Sequence, residues 1–120
     1  MFVKNIHWID QESLEAEVVI SDGKYECLAF SHPCRLRVGD EVLDPLHSFE
    51  EGLVYRVNDK ETTIVRTKST RYWAHEIVAL VIDAKSKLVK VGNIRIVLGS
   101  LPGDIVNGDL VEFCSDRLDV

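Results

Sequence analysis

The chain has 120 residues, 46% of them hydrophobic and 28% charged, with a net charge of −6. That length suits one domain with a real core, and that balance excludes a disordered chain. No apolar run approaches the roughly 20 residues of a membrane helix. Met1-Phe2-Val3-Lys4 runs too soon into His7 and Asp10 for a signal-peptide core, so a cytoplasmic location is expected.

The dominant pattern is short β-prone runs between turn residues. Val3 to Trp8 reads as a first strand. Asp10 to Glu17 is the best helical window, with Ser13 as its cap, but Val18-Val19-Ile20 follows it and favours strand. Asp22-Gly23 then separates Leu14–Ile20 from Lys24–Phe30, which is a strong hairpin signal. Ser31-His32-Pro33-Cys34 breaks the pattern. Arg35 to Val38 is a short strand candidate, Gly39-Asp40 a turn and Glu41-Val42-Leu43 another short run. Leu46 to Glu51 reads as a helical turn or a covering loop.

Leu53–Val57 and Thr62–Thr67 read as a second hairpin through Asn58-Asp59-Lys60. After the polar loop 68–71, Tyr72 to Asp83 is one long strand. Lys87–Val91 and Ile94–Leu98 flank Gly92-Asn93, a third tight turn, and Leu110 to Cys114 is the last strand. The expectation is an all-β chain of about eight or nine strands with at most one short helix. Its fold class is a small, closed or partly closed antiparallel β-barrel.

Two stretches, 14–43 and 77–113, share an order of features. Each has an apolar strand, a polar turn, a loop with proline and then Gly-Asp before a valine strand, at Gly39-Asp40 and Gly108-Asp109. This is either a duplication or the recurrence of turn chemistry common to β proteins. Residues 77–113, with their long first strand, the Gly92-Asn93 hairpin and the Gly108-Asp109 corner, resemble an OB-type barrel. The resemblance implies a face that binds single-stranded nucleic acid or oligosaccharide, although fold alone does not dictate function.

Candidate chemistry is sparse. Cys27, Cys34 and Cys114 are an odd set that points to reduced thiols rather than a disulfide framework. Cys27, His32 and Cys34, with Cys114 or His47 as a fourth ligand, lack the spacing of a zinc site. No nucleophile–base pair, glycine-rich phosphate loop or carboxylate pair on one face can be assembled. A catalytic role, a resident metal and a cofactor are therefore not expected.

Charge is the main clue. Residues 10–51 hold eleven acids against three bases, and residues 52–95 nine bases against four acids. The first block suggests a non-catalytic protein-binding module, of the immunity or inhibitor type, that masks a basic partner such as a nuclease toxin. Its candidate contacts are Glu12, Glu15, Glu17, Asp40, Glu41, Asp44, Glu50 and Glu51. The alternative is an OB-type binder of single-stranded nucleic acid or another anionic ligand, using Arg66, Lys68, Arg71, Tyr72, Trp73 and His75. A pI near 5.1 weighs against that alternative, and Tyr72 or Trp73 could instead plug the barrel.

Overall fold

The computed structural model describes residues 1–67 and 72–120. Ten strands run in order: β1 (Phe2–Asp10), β2 (Glu15–Ser21), β3 (Glu26–Ser31), β4 (Leu46–Glu51), β5 (Tyr55–Val57), β6 (Thr63–Arg66), β7 (His75–Asp83), β8 (Leu88–Val91), β9 (Ile94–Val97) and β10 (Leu110–Asp119). The described residues contain no helix. The window from Asp10 to Glu17 is the end of β1, a tight turn and the start of β2. There the β-branched Val18-Val19-Ile20 and the pairing of Trp8 with Ala16 override any local helical preference.

Five strands close into a barrel. β7 pairs β8, β8 pairs β9, β9 pairs β4, β4 pairs β10 and β10 pairs β7. A small all-β barrel is thus what this sequence builds, with one or two strands more than its pattern suggested. The pairing is not wholly antiparallel. β4 lies parallel to β9 through Leu46↔Ile96, and β3 lies parallel to β10 through Ala29↔Leu118. The OB-resembling segment 77–113 supplies most of β7, all of β8 and β9, and the start of β10. The remaining barrel strand, β4, comes from the weak stretch Leu46–Glu51. It alternates correctly, with Leu46 and Ser48 buried and His47 and Phe49 exposed.

The other strands extend the sheet. β1, β2 and β3 continue from β10 in that reversed order, β6 adds to β7, and β5 adds to the first residues of β10. The hairpins at Asp22-Gly23 and Gly92-Asn93 form as expected: Ser21 pairs Glu26, and Val91 pairs Ile94. The middle one does not. β5 and β6 each pair elsewhere, because the β7–β10 pair offers two free outer edges. Arg56 Nε bonds Asp109 at 3.1 Å and Lys60 Nζ bonds Glu112 at 2.7 Å, so the β5 side is fastened to β10 instead. Arg35 to Val38 is not a strand, and Glu41 makes only an isolated bridge to Phe2.

The two Gly-Asp corners have the same geometry. The Asp40 carboxylate accepts the Arg37 N–H at 2.8 Å, and the Asp109 carboxylate accepts the Val106 N–H at 2.9 Å. Each aspartate returns its own N–H to the same residue's carbonyl, at 3.0 and 3.1 Å. The preceding glycines sit at φ +94° and +91°, where a side chain would be strained. The turns after β1 and β7 match as well. Asp10 and Asp83 accept the N–H of Glu12 and Lys85, and Leu14 and Lys87 both lie at φ 60°.

One hydrophobic cluster joins barrel and extension. Ile20, Leu46, Ile77, Ile94, Ile96 and Leu118 are fully buried within it. Each such side chain contributes about 1.5–3 kcal/mol when fully buried. The only fully buried polar side chains among the described residues are His75 and Ser115. Ser115 Oγ donates to the Arg117 carbonyl at 3.1 Å, which leaves the 2.6 Å bond from Ser48 to be donated by Ser48.

Candidate functional site

Strand register lines up an outward-facing row. His7 pairs Glu17, Glu17 pairs Phe30, Phe30 lies beside Asp119, and Arg117 lies beside Phe49. The row therefore crosses β1, β2, β3, β10 and β4 on the side away from the core. The Arg117 guanidinium sits between two rings, 4.7 Å from the Phe30 centroid and 4.8 Å from that of Phe49. Its Nε and Nη2 clamp the Asp119 carboxylate at 2.7 and 3.1 Å.

The turn before β7 extends this row. Trp73 lies 5.6 Å from Phe30 and meets Tyr72 edge-on, also at 5.6 Å. Arg66 stacks on Tyr72 at 4.8 Å and donates to the Tyr72 carbonyl at 2.9 Å. The Tyr72 hydroxyl donates to Glu17 at 3.2 Å. The result is a strip in the order Arg66, Tyr72, Trp73, Phe30, Arg117, Phe49. Tyr72 is 54% exposed and Phe49 52%, so both ends of the strip are open. Trp73 Nε1 is buried with no hydrogen-bond partner among the described residues. Neither aromatic of the turn belongs to a strand, because β7 begins only at His75.

His75, grouped with these residues in the sequence, sits elsewhere. It is fully buried, its Nε2 accepts the Leu28 N–H at 3.1 Å, and its Nδ1 bonds the Trp73 carbonyl at 3.0 Å. Those partners define a neutral ring protonated at Nδ1. Burial pushes its pKa down to about 4. His75 thus ties β7 to β3 and is not a ligand-facing base. Lys68 and Arg71 lie outside the described residues.

The acidic set does not form one patch. Glu12 and Glu15 flank the β1–β2 turn, whereas Glu41 bridges Phe2 at the other end of β1. A nine-residue strand separates them by roughly 25 Å. Asp40 is engaged by the Arg37 N–H, and Glu51 accepts the N–H groups of Gly99 and Ser100. Asp44 is exposed on the loop before β4. Glu17, 3.9 Å from His7 Nδ1, is buried at 8% exposure and accepts the Tyr72 hydroxyl, so it is not the open contact the sequence suggested, and Glu50 is exposed near the end of β4.

Cys27 and Cys34 are buried, and burial together with the charges of Asp22 and Glu26 pushes the Cys27 thiol up to about 12. His32 is exposed, 6.4 Å from the Phe30 ring. The described residues contain no group of three His, Cys, Asp or Glu side chains placed to hold a metal.

Phe30, Phe49 and Arg117 are the strip residues that sequence reasoning missed. They stand on three strands separated by long stretches of chain, and only the β3–β10–β4 pairing brings them together. No family model, curated protein or solved structure matches the chain.

Proposed function

We propose that this chain is a non-catalytic protein-binding module that docks a basic partner on the strip. The carrying observation is the Phe30–Arg117–Phe49 stack, continued by Trp73 and an open Tyr72. Aromatic rings and arginine are the side chains that dominate binding energy at protein interfaces. A net charge of −6 steers a basic partner toward the chain. An immunity- or inhibitor-type protein that masks a nuclease toxin has this chemistry.

The strip's own cations favour a protein over a nucleic acid. Arg117 is clamped by Asp119, so its charge is already matched, and Arg66 spends one of its N–H groups on the Tyr72 carbonyl. Affinity capture from the source cells, followed by titration of the purified basic protein so obtained, tests the reading. Phe49→Ala is expected to weaken that complex about thirty-fold, as hot-spot truncations do, and Glu12→Gln to leave it unchanged. Salt-dependent binding of a single-stranded oligonucleotide that Phe49→Ala abolishes, with no protein captured, would replace this reading with the nucleic-acid one.

A further inference from the structure

Beyond the strip, the outward face of β10 continues into a groove. Glu112 and Cys114 point the same way as Arg117 and Asp119, and the cleft over them, between β5 and β6, has a volume of about 400 Å³. That lies within the roughly 300–1,000 Å³ of small-ligand pockets. Register builds its floor in two rows. Thr63, Val78, Glu112 and Tyr55 form one, and Val65, Glu76 and Cys114 the other.

The two carboxylates on this floor differ. Glu112 bonds Lys60 at 2.7 Å and accepts the Tyr55 hydroxyl, and these bonds hold its carboxyl below the ordinary glutamate range. Its charge is already matched. Glu76 is exposed on the neighbouring strand and has no hydrogen bond or ion pair among the described residues. Around it stand the apolar Val65, 52% exposed, and Leu53, 78% exposed, with the Tyr55 ring across the groove. An unmatched carboxylate among apolar walls and an aromatic ring suits a cation on an aliphatic stem.

We infer that this groove is a second pocket of the proposed interface and takes an arginine or lysine side chain of the basic partner. The stem lies on Val65 and Leu53, and the charge meets Glu76. This rests on the reading of the strip, whose face it shares, but it is tested separately. The probe is N-acetyl-L-argininamide, titrated into the ¹⁵N-labelled full chain, with the uncharged N-acetyl-L-citrullinamide as comparison. Saturable amide shifts at Val65, Glu76 and Val78 are expected with the arginine compound. Glu76→Gln should weaken them at least five-fold, and the citrulline compound should produce none that saturate.

Absence of saturable shifts, equal binding of the citrulline compound, or indifference to Glu76→Gln overturns the inference. An intact partner complex in Phe49→Ala would overturn the strip reading and leave the groove to be judged by the titration alone.

Discussion

The carboxylate of Asp22, in the β2–β3 loop, accepts the backbone N–H of Asn93 in the β8–β9 turn at 2.8 Å. The same carboxylate accepts the N–H groups of Lys24 and Tyr25 at 2.9 and 2.7 Å. One side chain therefore shapes its own loop and locks a second hairpin, 71 residues away, against it. Gly92 completes the joint: a Cβ there would stand 2.4 Å from Asp22 Oδ2 and 2.7 Å from the Tyr25 ring.

Gly92→Ala meets both a positive φ of 58° and a filled space. The expected loss is about 3 kcal/mol, combining backbone strain with overpacking. Gly23→Ala is the internal comparison, since φ is +98° but nothing lies within 4 Å. It should cost only about 1 kcal/mol. Urea unfolding of the two variants measures the difference, and equal losses would show that the two turns do not press on each other.

Asp22→Ala should cost about 2 kcal/mol, because it leaves backbone donors without their acceptor. Partial burial pushes the Asp22 carboxyl up, but the N–H bonds from Asn93, Tyr25 and Lys24 outweigh it and hold the group below its usual value of 3.8. A depressed carboxyl stabilises the fold above the unfolded-state pKa, and that stability drains away as pH falls through the folded one. The variant should therefore lose less stability than the parent between pH 5 and pH 2.5, as read by chemical unfolding at each pH.

His75 carries the opposite charge bookkeeping to the same acid-sensitive result. Its folded pKa near 4 lies below the ordinary 6.5, so the unfolded chain takes up a proton that the folded chain refuses. Stability is full above pH 6.5 and falls as pH drops toward 4. The loss by pH 5.5 is about 1 kcal/mol. A histidine NMR titration checks the cause: the His75 ring should stay neutral, with its proton on Nδ1, through pH 5. A midpoint near 6.5 for His75 would sink the prediction.

Much of the fold could be read from local chemistry. Asp22-Gly23 and Gly92-Asn93 needed only their own turn residues to announce hairpins, and both form. Asn58-Asp59-Lys60 misled because the turn is real, with Asp59 at φ 56°, but β10 and β7 outcompete β6 and β5 as partners. Leu46–Glu51 was opaque because His47 and the two glutamates dilute its strand pattern, and its pairing with β9 and β10 is a long-range fact. The site was legible in halves. Arg66, Tyr72 and Trp73 stood out as a local run, while Phe30, Phe49 and Arg117 join them only in three dimensions.

β10 pairs with β3, β4, β5 and β7. It is also the last of the ten strands to emerge during synthesis. Until it emerges, β3, β4, β5 and β7 each lack a partner, and the barrel cannot close. The growing chain thus carries open strand edges until β10 is made, a state prone to sticking to its neighbours. Strand order makes barrel closure wait for β10, and it makes a chain that still lacks β10 the form most in need of a chaperone.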